Sequence, residues 1–320
     1  MTGASFRLLL RYASVGVAVV LLNFLLPRLL PGDPLDAATP DDGTAVSTLT
    51  GDARARLRAT YHLDQPLSAQ LTAYLGDLAR GDLGWSISRA APVAQLAAER
   101  LPWTLFLVLT ALVLSSALGS ALGLVSAWQA GRGDGWLTTA STLLTALPEF
   151  LVAMTLLLVL SVGLHWFPLQ GGRSTFGDAG PLDVLWHLTL PVLTLVLATS
   201  AGFMLLARGA VLGVRNEPYL MAARGKGLSE SAVAVRHAVP NALLPVVSLF
   251  AVRLGHVLGG ALVVERVFGV PGLGLLAFEA IRARDYPVLQ AVFLLASLGT
   301  LCAMLGLEIV SRRLSPRHVR

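Results

Sequence analysis

Glu149 stands inside one run of apolar residues, and Arg253 and His256 stand inside another. A charge in lipid is expensive, so each is expected to face protein or water. There it can pair with an opposite charge, reach an interface or line a polar pathway. Arg253 and His256 are three residues apart and so share a helix face. The spacings that carry other chemistry are missing. Arg224-Gly225-Lys226-Gly227 lacks the upstream glycine and the hydroxyl residue of a phosphate-binding loop. No His-Glu-x-x-His or Gly-x-Ser-x-Gly pattern occurs, which argues against a metalloprotease or an elbow-type serine hydrolase. His165 and His187 bound one loop without a cysteine or a His-x-x-x-His spacing, so a structural or solvated role is expected and no metal. Cys302 is the only cysteine, which excludes an internal disulfide; it reads as a small apolar residue inside a helix.

The chain around these residues is strongly apolar. Of 320 residues, 55% are hydrophobic and 13% are charged. A soluble domain carries roughly twice that charge, so this is an integral membrane protein. The net charge of +5 is mainly arginine, with Lys226 the only lysine. In such a chain a basic balance reflects topology and anionic headgroups before nucleic acid.

Segments of about twenty apolar residues can cross a bilayer. Six are expected, at about 8–30, 101–128, 137–164, 188–207, 242–264 and 287–310. The first is read as an uncleaved span, because Pro31-Gly32-Asp33-Pro34 follows it instead of a small-x-small cleavage site. Asn23 within it is expected to pack against another helix. Gly119 and Gly123, and Gly255 and Gly259, form small-xxx-small pairs suited to close helix approach. Gly131 to Gly135 reads as a tight turn, and Pro148 as a kink within the third span. A long polar stretch from Asp33 to about Arg100 separates the first two spans; a helix is expected after Asp64-Gln65-Pro66, ending near Gly81.

Between the fourth and fifth spans lies NEPYLMAARGKGLSESAVAVRHAVPNALLP, residues 216–245. It reads as two short helices. Pro218 suits the first turn of one, and Gly227 ends it with left-handed dihedrals. Ser229 caps the second, which is expected to stop at or just before Pro240. With both termini on the cytoplasmic side, the internal segments hold twelve positive residues against Asp134, Glu217 and Glu230, as the positive-inside rule requires.

The loop spacing resembles the signature of ABC-importer permeases: Glu-Ala-Ala, three residues, Gly, nine residues, Ile-x-Leu-Pro. Met221, Ala222, Ala223, Gly227, His237, Val239 and Pro240 occupy its positions, with Met221 in place of the glutamate and His237 in place of the isoleucine. Other pieces carry the likeness further. PGDP, YHLDQPLSAQLTAYLGDLARGDLGWSI, PVAQLAAERLPWTLFLV, VVERVFGVPGLG, ARDYPVLQ and the basic tail are similar to the B-type subunit of the oligopeptide/dipeptide (peptide/nickel) importers.

The resemblance implies an all-α membrane protein with six transmembrane helices and the type I ABC importer permease fold. Residues 1–31 would hold the first helix, 32–92 a large external segment and 93–307 the permease core. The coupling loop would lie at 208–241, and 308–320 would form a basic cytoplasmic tail. The implied role is a subunit of an ATP-driven importer in the cytoplasmic membrane, with peptides as cargo; nickel chelates and glutathione stay open. Implied partners are a second permease, two ABC ATPase subunits and an external substrate-binding protein. ATP and Mg would be used by the ATPases, with no cofactor bound here. Met221, Ala222, Ala223, Gly227, His237 and Pro240 would dock the ATPases. Glu149, Arg253 and His256 are candidates for the pathway or a subunit contact; Arg253 stands where family members usually carry a neutral residue. Two rivals remain. An ion-coupled secondary transporter would show internal repeats and paired mid-membrane acids, and an embedded enzyme would need convergent catalytic groups.

Overall fold

The computed structural model describes residues 3–29, 65–129, 132–174, 180–255 and 261–314. Helices dominate: α1 (Gly3–Leu29), α2 (Leu67–Ala79), α3 (Val93–Gln129), α4 (Arg132–Ala146), α5 (Glu149–Leu156) and α6 (Pro181–Val214). They are followed by α7 (Pro218–Gly225), α8 (Glu230–Val233), α9 (Val239–Gly255), α10 (Leu262–Phe268), α11 (Leu273–Arg282) and α12 (Tyr286–Leu314). One two-stranded antiparallel ribbon, β1 (Trp85–Ser86) with β2 (Ala91–Pro92), leads into α3.

The spine is α3 packed on α6. A Cβ at Gly119 would collide with the Ser200 carbonyl, and one at Gly123 with the Met204 carbonyl. Hydrogen in place of a side chain lets the two backbones touch, which in lipid replaces the missing hydrophobic drive with dispersion contact. Leu107 and Ala111 of α3 pack with Ala153 of α5, Leu188 and Leu195 of α6 and Phe268 of α10. At the start of α3, Val93, Leu96 and Ala97 pack against Leu273 and Leu276 of α11 and Val288 of α12.

The six expected spans correspond to α1, α3, the α4–α5 pair, α6, the α8–α9 segment and α12. By length and composition four helices qualify as crossings, at 93–128, 181–214, 230–254 and 286–306. The α4–α5 pair brings the number to five if it counts as one span. In α1 only the shorter stretch Leu10–Leu25 is apolar enough. That helix lies along α12: Asn23 Nδ2 donates to the Gln290 carbonyl at 2.9 Å and to the Tyr74 hydroxyl at 3.1 Å, and Gln290 returns a bond to the Asn23 carbonyl at 3.0 Å.

The expected turn at Gly131–Gly135 is corrected by the structure. Residues 132–135 already form the first turn of α4, where Asp134 sits in the helix's positive end. The third span departs further from a plain kink: α4 and α5 meet at 100°. Proline disfavours helical dihedrals in the residue before it, here Leu147. Pro148 itself is extended, at φ −58° and ψ 136°, and α5 restarts at Glu149.

The helix starting at Glu230 does not stop near Pro240. It passes through a π turn at Ala234–Ala238 and runs on to Gly255. There Val239 N–H reaches back to the Ala234 carbonyl, one residue beyond α-helical spacing. The wider turn accommodates a proline ring that would clash with a regular ladder.

The segment after the fifth expected span folds as α10 and α11. The helix expected near 66–81 is α2. The helix of the fourth expected span, α6, starts at Pro181, ahead of its expected start.

Candidate coupling site and membrane cavity

Residues 216–241 form a compact helical pair. Glu217 is extended, Pro218 occupies the first turn of α7, and Gly227 turns the chain at φ +80°. Gly227 N–H donates to the Arg224 carbonyl at 2.9 Å, closing the turn. Ser229 Oγ accepts from Ala232 N–H at 3.3 Å and so caps α8. These three expectations hold, and each follows from local chemistry.

The pair has two faces. Leu220, Ala223, Val233 and Ala238 are buried together against Trp128, Val214 and Leu228. Met221 and Ala222 are exposed, as are Gly227, Val235 and Pro240, while His237 is half-buried. The two alanines of the motif therefore divide: Ala223 seats α7 on the membrane helices, and Ala222 faces outward beside Met221. The outer rim is tied by an Arg224 Nε–Glu230 Oε1 ion pair at 2.8 Å. Asn241 Nδ2 donates to the Tyr219 hydroxyl at 3.2 Å and to the His237 carbonyl at 3.1 Å.

Beneath the pair, Arg208 at the end of α6 holds Asp134 of α4 in a fork, Nε at 2.6 Å and Nη2 at 2.7 Å. Ser126 of α3 donates to the same carboxylate. A bidentate guanidinium–carboxylate pair fixes orientation as well as distance. It binds α3, α4 and α6 at the end from which α7 departs. Arg215 adds a bond from Nη1 to the Ala127 carbonyl at 3.3 Å.

A cavity of about 460 Å³ opens between the helices, halfway along α3 and α6. Val108, Ala111 and Leu112 of α3, Leu195 and Thr199 of α6, and Val252 of α9 form most of its wall. Glu149 and Arg253 complete it. The bend at Pro148 delivers Glu149 here, because α5 begins at mid-depth. Glu149 Oε1 is buried with no hydrogen-bond partner. Arg253 stands on the same cavity wall as this carboxylate. His256 and Gly259 lie outside the described residues.

Two polar clusters escaped the sequence reading. Glu265 on α10 is fully buried outside the spanning helices. Its Oε1 accepts from Thr104 Oγ1 at 2.6 Å and its Oε2 from Leu275 N–H at 3.0 Å. Thr104 Oγ1 accepts in turn from Leu273 N–H at 2.8 Å. A Cβ at Gly272 would overlap the carboxylate, and one at Gly274 would stand 2.9 Å from Oε2. Two of the glycines in VVERVFGVPGLG thus clear space for an acid. Burial pushes the Glu265 carboxyl up, opposed by its hydrogen bonds to Thr104, Leu275 and Gly274. Asp285 is also buried; it accepts from Ser86 Oγ at 2.6 Å, Ser88 Oγ at 2.7 Å and Ser88 N–H at 2.9 Å. It pins the β1–β2 ribbon to the start of α12. The signal available for both was an acid beside glycines or a helix start, a pattern shared with ordinary loops.

The comparisons with known proteins bear on the whole arrangement. Residues 119–320 match the family described as "Binding-protein-dependent transport system inner membrane component". The glutathione transport system permease protein GsiC of Escherichia coli O6:H1 is 36% identical over 301 residues, covering 93% of this chain and 92% of that protein. A protein of Brucella suis biovar 1 named as a peptide permease is 36% identical over 306 residues, covering 94% of each chain. One of Brucella ovis named in the same way is 35% identical over 303 residues, again covering 94% of each. The helical bundle, its apolar spans and these matches over nearly the full length identify the chain as a multi-pass membrane protein with the type I permease fold, and it belongs to the ABC transporter permeases of the peptide/nickel family, the inner-membrane components of binding-protein-dependent transport.

Proposed function

We propose that this chain is one of two permease subunits of an ATP-driven importer of short peptides. The observation that carries the reading is the two-faced helical pair at 218–238. Its inner face is buried on the membrane helices, and its outer face exposes Met221, Ala222 and Val235. An apolar outer face beside a basic rim suits insertion into a groove on a cytoplasmic ATPase. Relatives named for peptide and glutathione transport support a peptide cargo.

In this reading both termini are cytoplasmic and the α10–α11 end faces outward. Two ATPase subunits bind ATP and Mg, while this chain binds no cofactor. Closure of the ATPases moves α7. Because α8 continues into α9 without a break, that movement reaches a membrane span directly. The Asp134–Arg208 fork carries it to α3, α4 and α6. Rocking then opens the central cavity to each side in turn. The shift requires ligands that bind the two states differently, a role filled by ATP and by the loaded external binding protein. Met221 at the motif's acidic position removes one salt bridge but leaves the helix intact, since methionine is a good helix former.

The test is a pull-down of the tagged chain from detergent-solubilised native membranes, wild type beside Gly227→Pro. Proline cannot adopt the φ of +80° found at Gly227. Wild type is expected to bring down two ATPases and a second permease, and the variant to lose the ATPases while keeping the permease. Labelled-dipeptide uptake by the reconstituted complex follows. ATPases retained by the variant at wild-type levels would refute the docking role; ATP-independent uptake would favour a secondary transporter.

A further inference from the structure

Glu149 and Arg253 put one charge of each sign on the wall of a single mid-depth cavity, and the rest of that wall is almost entirely apolar. The volume of about 460 Å³ lies within the roughly 300–1,000 Å³ of small-molecule sites. Glu149 Oε1 is buried with no donor, and no ion pair within 4.0 Å joins it to Arg253. An uncompensated carboxylate oxygen in an apolar enclosure is costly. The site is therefore poised for a ligand that supplies a donor to one residue and an acceptor to the other.

The charge pattern narrows that ligand. A metal ion would be repelled by the guanidinium, and a simple anion by the carboxylate. A molecule with an ammonium group at one end and a carboxylate at the other satisfies both. The guanidinium fork matches a carboxylate in two parallel bonds, and the glutamate accepts from the ammonium. Two charge-assisted contacts, one at each end of the ligand, fix its orientation in the cavity.

Resting on the peptide-import reading above, we propose that this cavity is a transient subsite for short zwitterionic peptides, with Arg253 holding the C-terminal carboxylate and Glu149 the N-terminal ammonium. The subsite belongs to the permease itself and so adds a second selection after the external binding protein.

The experiment measures equilibrium binding of labelled L-alanyl-L-alanine to the assembled permease–ATPase complex in nanodiscs, with the external binding protein left out. Unlabelled dialanine, its C-terminal amide and its N-acetyl form serve as competitors. Wild type should bind saturably, with each blocked form competing at least about tenfold more weakly than the free peptide. In Arg253→Met the free peptide and its amide should become equivalent. In Glu149→Gln the free peptide and its N-acetyl form should become equivalent. Arg253→Lys, which keeps the charge and loses the fork, should fall between. If Arg253→Met fails to assemble, the Lys variant and Glu149→Gln still decide. Absence of saturable binding in wild type overturns the subsite, and so do variants that weaken all competitors equally. Dipeptide uptake by wild-type proteoliposomes with the binding protein present separates the two readings: uptake without binding removes only the subsite, and no uptake removes the peptide cargo as well.

Discussion

Two short helix pairs flank α9, and they are built on opposite plans. The α10–α11 pair is organised from within. Glu265 is fully buried, Thr104 bridges it to the backbone of Leu273, and Gly272 and Gly274 leave room only for hydrogen beside it. The α7–α8 pair is seated by four small or medium apolar residues and tied at its rim by the half-exposed Arg224–Glu230 ion pair. A buried, fully bonded polar centre holds one geometry, because every departure strands a group in low dielectric. An exposed ion pair over an apolar seat holds its geometry weakly. The first pair is constructed as an anchor and the second as a part that can shift. One fold thereby supplies a fixed end and a movable end to the same membrane segment.

Breaking the anchor should give the largest effect. Glu265→Ala strands Thr104 and the Leu275 N–H in a buried site, at a cost of about 3 kcal/mol or more. Thermal unfolding of the detergent-solubilised protein should show a clearly lowered midpoint or a loss of folded material. Glu265→Gln, which keeps an acceptor, should lose much less. The same pair of proteins tests the protonation of the site. The Glu265 carboxyl is raised in the folded chain, so the folded state keeps a proton that the unfolded chain releases. Wild-type stability should then fall as pH rises from the ordinary carboxylate range through the raised value. The glutamine variant should lack that slope; an identical slope would place the titrating group elsewhere.

The spine joining both ends comes next. Gly123→Ala inserts a methyl where the Met204 carbonyl and the Ala207 side chain stand. Overpacking of this kind costs about 1–3 kcal/mol. Both unfolding temperature and ATP-driven transport should drop, since the helices must separate to admit the methyl. Gly202→Ala, with open space around its Cβ position, is the matched control and should stay near wild type.

Smaller effects are expected at the movable end. Gly227→Ala forces a left-handed residue, at about 1–2 kcal/mol, with no collision around it. Here the comparison predicts a split: ATPase-coupled uptake should fall several-fold while the unfolding midpoint moves little. A global loss of stability would mean that this pair is an anchor too. Least of all, Glu230→Gln should cost about 0.5 kcal/mol or less, because its side chain is 62% exposed.

Much of this was readable beforehand because it depends on local chemistry. Apolar run lengths gave the bundle, and the matches over nearly the whole chain bear out the family. Pro218, Gly227 and Ser229 act as their backbone preferences dictate. The Gly119–Gly123 pair does bring helices together, since glycine permits close approach whatever the partner. Pro240 misled for an instructive reason: proline opposes a regular α-helix, yet the π turn before it keeps the helix running. Likewise Pro148 gave a kink by its chemistry, but the size of the bend was set by how α5 packs on α6 and α10.

By itself, then, the amino-acid order determined what must be in lipid, where the backbone could turn and which family the chain joins. Those properties are written in short windows of sequence. The tertiary structure alone decided which polar groups meet. Asp134 and Arg208 are 74 residues apart, and Thr104 and Glu265 are 161 apart. Glu149 and Arg253 share a cavity only because a bent span and a continuous one converge there. Such pairings come from helix packing, in which the identity of a charge tells how costly its burial is but not which distant residue relieves that cost.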